Sequence, residues 1–115
     1  MRARRPLRRG SITHSFVDQQ ISILHKAMAE KIVDNPSLVE QVKVTLEERL
    51  ENGTLRYGAF LTWQCILEQV NDKDTFVAAV LEDSPLMKKY RRKTPFVGIL
   101  SEEERQQALL SLETN

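Results

Sequence analysis

Five cations stand within six residues at Lys88, Lys89, Arg91, Arg92 and Lys93, and they run into Thr94-Pro95-Phe96-Val97-Gly98-Ile99-Leu100. The chemistry such a segment can do is recognition. Arginine meets carboxylates or phosphates through a planar fork, while lysine meets them as a compact charge. Phe96 and Leu100 offer apolar anchors, since a few aromatic and aliphatic side chains dominate most interfaces. Pro95 forces the residue before it into extended backbone, which lowers the entropy lost on docking. Gly98 sits inside the same run. The competing reading is that Phe96, Ile99 and Leu100 fold back over a helical core while the cations stay in water.

Chemistry of bond making is poorly supplied. The two histidines, His14 and His25, and the single Cys65 are far apart in sequence and do not form a zinc-ligand spacing. His25 reads as a boundary residue of the first helix, and Cys65 as a small core residue. The four glycines are scattered, so no phosphate-cradling loop is present. Glu47, Glu48 and Glu51 read as a solvated helix face. No nucleophile, base and orienting group can be assembled, so no catalytic residue, metal or cofactor is assigned and an enzyme is not expected.

The elements that position the segment are helical. At 115 residues the chain has room for one domain that needs neither disulfide nor metal. Val17, Ile21, Leu24, Met28 and Ile32 share one face of a first helix. Asn35-Pro36 ends it and opens a second, with Asn35 as cap, Val39, Val42, Leu46 and Leu50 as its apolar stripe, and Asn52-Gly53 as its stop. A third helix is predicted from Leu55 to Val70, with Phe60, Trp63, Leu67 and Val70 inward. A fourth starts at a cap, Asp72 or Asp74, and breaks at Ser84-Pro85. Leu86 to Arg92 has room for one or two turns. Ser101-Glu102-Glu103-Glu104 is a capping box opening a last helix that reaches Leu112. The expected architecture is all-α: a compact bundle of four main helices plus a short C-terminal helix after an extended Pro-Phe-x-Gly segment.

Charge is segregated along the chain. Residues 1–10 hold Arg2, Arg4, Arg5, Arg8 and Arg9 without an acid, whereas residues 11–87 hold six cations against twelve acids. The expected organisation is a disordered Arg-rich arm over residues 1–12 and a single helical domain over residues 13–115. No apolar stretch approaches the ~20 residues of a membrane span, and one cysteine fits a reducing, cytoplasmic setting. The arm reads either as a terminus without a role or as a nucleic-acid-binding element. The short Asn52-Gly53 turn is compatible with a helix-turn-helix. The following helix is poor in basic residues, so it is a weak candidate for reading base edges.

Residues 24–105 resemble a group of small bacterial proteins. The likeness is carried by His25-x-x-x-Ala29-Glu30-Lys31-Ile32, by Asn35-Pro36-Ser37-Leu38, by Glu82-Asp83-Ser84, and by the basic stretch leading to Thr94-Pro95-Phe96-Val97-Gly98-Ile99-Leu100 with Glu104-Arg105 beyond. Proteins of this kind look like antitoxins encoded beside a toxin gene, often of nucleotidyltransferase type. The resemblance implies a protein that neutralises a cognate toxin by direct contact. The candidate partner-binding residues are Lys88, Lys89, Arg91, Arg92, Lys93, Pro95, Phe96, Gly98 and Leu100. The alternative is a transcriptional regulator binding DNA through Arg2, Arg4, Arg5, Arg8 and Arg9 and the 88–93 patch. Homo-oligomerisation is left open.

Overall fold

A computed structural model describes the backbone of residues 4–113 and the side chains of residues 16–111. Among them there are six helices and no strand: α1 (Arg4–Asp34), α2 (Leu38–Glu51), α3 (Tyr57–Leu67), α4 (Lys73–Val80), α5 (Pro85–Arg92) and α6 (Glu102–Glu113). The all-α expectation holds. The count of four main helices plus one does not, because the one or two turns expected at Leu86 to Arg92 form a helix of their own, Pro85–Arg92. Ser84 accepts a hydrogen bond from the Met87 amide, and Pro85 occupies the first turn, where its missing N–H leaves no partner unsatisfied.

Local signals set most other boundaries. The amides of Gly53 and Thr54 bond back to the carbonyls of Leu50 and Arg49, which is the Schellman closure, and Gly53 takes the required left-handed φ of 83°. Asp72 caps α4 through the Thr75 amide. Ser101 and Glu104 form the reciprocal capping box, each side chain accepting from the other's amide at 3.1 and 2.8 Å. One cap differs. Asn35 does not cap α2; its side-chain amide turns back to the Lys31 carbonyl at 3.1 Å, and Ser37 precedes α2 without a side-chain bond.

At the other end, helical backbone runs back to Arg4, through most of the segment expected as a disordered arm. Arginine is a good helix former, and Pro6 falls in the first turn, where proline is tolerated. The side chains of Arg4, Arg5, Arg8, Arg9 and His14, and Arg2 altogether, lie outside the described residues.

α1 is the axis of the fold, touching α4, α5 and α6, while α3 touches α2 and α4. Its inward face is His25, Met28, Ala29 and Ile32: Met28 and Ile32 are buried as expected, while His25 and Ala29 join them and Leu24 is only partly buried. Val42 and Leu46 from α2, Phe60, Trp63, Ile66 and Leu67 from α3, and Phe76 and Val80 from α4 complete the inner layer. Trp63 and Phe76 are both fully buried. Burying a large apolar side chain stabilises by roughly 1.5–3 kcal/mol, so this layer supplies most of the driving force.

Candidate functional site

The segment from Lys88 to Leu100 splits into a part that builds the fold and a part that faces outward. Phe96 and Ile99 are buried, and Pro95 is among the fully buried side chains. The Phe96 ring sits 5.3 Å from Trp63 and 5.7 Å from His25, centroid to centroid, in tilted arrangements favourable for aromatic pairs. Thr94 Oγ1 accepts from the Phe96 amide at 3.1 Å, bending the chain inward. Two α2 side chains hold the segment down. Arg49 donates to the carbonyls of Lys93 and Thr94, both at 3.0 Å, and the Gln41 amide donates to the Val97 carbonyl at 3.1 Å. Gly98 adopts φ of 74° beside that amide, and a Cβ there would meet Gln41 Nε2 at 3.3 Å. The Pro-Phe-x-Gly-Ile-Leu run is therefore a core plug. Phe96 and Pro95, expected as exposed docking residues, are corrected on that ground. Leu100 is only partly buried and packs against the core; Val97 alone of this run stands out in solvent as a large apolar side chain.

The five cations divide in the same way. Arg91 is 3% exposed, and its guanidinium donates to the carbonyls of Val80 at 2.8 Å and Glu82 at 3.0 Å. It closes the C-terminal end of α4, where unpaired carbonyls and the helix dipole favour a cation. Burial lowers its pKa, with Asp18, Asp83 and Glu82 pulling the other way. Arg91 too is corrected from partner ligand to structural clamp. Arg92 pairs with Asp18 of α1 at 2.7 Å, and Lys88 with Asp83 at 3.3 Å. Among the described residues, Lys89 and Lys93 have no carboxylate partner.

Those two lysines line a groove of about 650 Å³ between the α2–α3 turn, the start of α3 and α5. From α5, Leu86, Lys89 and Tyr90 face it, spaced i, i+3 and i+4 on one helical face, and Lys93 joins them from the residue that ends the helix. Gly58 and Ala59 of α3 face it from the other side, with Leu55 and the buried Trp63 behind them. Arg56 adds a third cation at the rim, and among the described residues no carboxylate lines the groove. Leu86 is 53% exposed. The adjoining face of α3 is apolar as well: Tyr57 and Leu61 are exposed one turn apart, followed one turn on by Cys65. Cys65 is thus a surface thiol, not a core residue.

Sequence reasoning missed Arg56, Leu86 and Gly58. The spacing of Leu86, Lys89, Tyr90 and Lys93 was the available signal, legible only once 85–92 is drawn as a helix.

His25 is buried, not a boundary residue. Its Nδ1–H donates to the Ile21 carbonyl at 2.8 Å, and its Nε2 has no hydrogen-bond partner among the described residues. Burial, aided by the nearby Arg91 charge, pushes its pKa down to about 4 against the upward pull of the Ile21 bond, so the ring is neutral at physiological pH. Among the described residues no three His, Cys, Asp or Glu side chains cluster as metal ligands, and no helix is long and apolar enough to cross a membrane. No known protein family, curated protein or solved structure matches the chain.

Proposed function

We propose that this protein works by occupancy, as an antitoxin-like partner that neutralises a cognate toxin through direct contact, with the groove between α3 and α5 as its docking surface. The observation that carries the reading is the groove itself. In a chain whose residues 11–87 hold twice as many acids as cations, Arg56, Lys89 and Lys93 surround an apolar floor without one carboxylate among the lining residues. Among the described residues Lys88 and Arg92 pair with Asp83 and Asp18, whereas none of these three cations has a carboxylate within ion-pair distance. Three unbalanced cations beside exposed Leu86 and Tyr57 form a surface suited to an acidic partner with an apolar anchor. The toxin as partner rests on the resemblance of residues 24–105.

The test is coexpression of the neighbouring open reading frame with and without this protein, scoring growth and co-purification. Growth arrest that this chain relieves, with a complex recovered, supports the reading. An innocuous neighbour and no complex would refute it.

The second reading, DNA binding, draws on the helical backbone from Arg4, which sets Arg4, Arg5, Arg8 and Arg9 in the opening turns of α1. Its test is duplex binding that falls steeply with salt and disappears on deleting residues 1–10.

A further inference from the structure

Gly58 lines the groove in the second position of α3, and a Cβ built on it would meet nothing within 4 Å. Its φ lies outside the left-handed region. The turn geometry therefore does not require glycine, and glycine is a poor residue for a helix interior. What its absent side chain does is leave the groove open. Gly53 lines the same groove, but its positive φ explains it as the stop of α2.

The walls state what an occupant needs. Leu86 and Tyr90 lie on one side and Ala59 on the other, so the floor is apolar. The rim carries Lys89, Lys93 and Arg56. Lysine and arginine meet carboxylates and phosphates alike, so it is the apolar floor between the cations that favours a peptide carrying an apolar side chain over a nucleic-acid backbone. One wall of the groove is the eight-residue α5.

We propose that the groove takes a short acidic segment of a partner protein, seating one apolar side chain over Gly58 between Ala59 and Leu86, with carboxylates reaching Lys89, Lys93 and Arg56. This deepens the neutralising reading and rests on it for the partner's identity alone. Close approach of the segment depends on the missing side chain at Gly58. Specificity comes from the one-sign rim, which repels basic segments and leaves neutral ones without polar partners.

The experiment uses the full chain and a fluorescein-labelled peptide of repeated Leu-Glu-Glu triplets, followed by fluorescence anisotropy. A peptide of repeated Leu-Gln-Gln triplets, polyglutamate and a short DNA duplex serve as competitors. Expected are saturable binding that weakens with salt, weaker competition by the other three, and about a tenfold or greater loss in Gly58→Phe, because a filled apolar seat excludes the anchor. Gly58→Phe keeps its thermal midpoint, since the new ring enters open space; Lys89→Glu/Lys93→Glu gives the same loss by charge reversal without filling the groove.

Absent peptide binding, or binding unchanged in Gly58→Phe and in the double charge reversal, would overturn the proposal. A duplex that displaces the peptide more tightly than the peptide binds would overturn it in favour of nucleic acid. The two readings fail separately. Neutralisation that survives Gly58→Phe removes the groove and leaves the antitoxin reading, whereas peptide binding beside a harmless genomic neighbour does the reverse.

Discussion

Acidification tests the burial of His25 directly. The native ring titrates at about 4, while the unfolded chain titrates near 6.5. Between those values the unfolded state binds the proton and the native state does not, so stability falls as pH falls. The contribution is fully present above the unfolded value, is lost through the window from about 6.5 to about 4, and levels off below it. The difference of about 2.5 units corresponds to an upper limit of roughly 3 kcal/mol, of which about 2 kcal/mol is already gone at pH 5. For a domain of this size that lowers the thermal midpoint by about 8 °C between pH 8 and pH 5. Chemical denaturation at a series of pH values measures it. His25→Leu is the control: the methyl groups fill similar space, the lost Nδ1 bond goes to a carbonyl of the same helix, and no group remains to titrate. The variant should be flat over the window where the parent slopes. Equal slopes in both proteins would refute the assignment and show that another group carries the dependence.

Three further perturbations follow from the placement of single side chains. Phe96→Ala removes the ring that contacts both Trp63 and His25 and should cost about 3–5 kcal/mol of stability by urea denaturation, far beyond an exposed docking residue. Arg91→Met leaves the Val80 and Glu82 carbonyls without their donor and should cost about 2–4 kcal/mol, with amide exchange in the last turn of α4 rising first. Cys65 is exposed, so it should react fully with Ellman's reagent in the native protein, and modification should leave the far-UV circular dichroism unchanged.

Helix ends were legible in the sequence because their causes are local. Asp72, Gly53, Ser84-Pro85 and Ser101-x-x-Glu104 each act within four residues, and each is found where its chemistry implies. Asn35 failed because its side chain turns back along α1 to donate to the Lys31 carbonyl. Burial was harder to read. Cys65 looked apolar by its neighbours, yet it lies two residues from the inward Trp63, about 200° around the helix and so on the far face. His25 and Phe96 were not fixed by local pattern, because their ring partners lie far away in sequence: Phe96 meets both Trp63 and His25.

The cations at 88–93 form one feature in sequence and two in space, and helical phase decides which cation does what. Met87 and Arg91 fall four apart on the buried face of α5. Lys89 and Lys93 fall four apart on the face toward the groove. A triple change such as Arg91→Glu, Arg92→Glu and Phe96→Ala, aimed at a surface patch, would instead strand a carboxylate against the α4 carbonyls, break the Asp18 pair and empty the core. Loss of partner binding in that variant would report unfolding and say nothing of recognition. Lys89→Glu with Lys93→Glu separates the two. Both side chains are exposed and unpaired among the described residues, so stability should stay within about 0.5 kcal/mol, while an acidic partner meets a reversed rim. A partner bound by the double variant as tightly as by the parent, with the same salt dependence, would mean that the cations left over from building the fold are solvated and do not recognise anything.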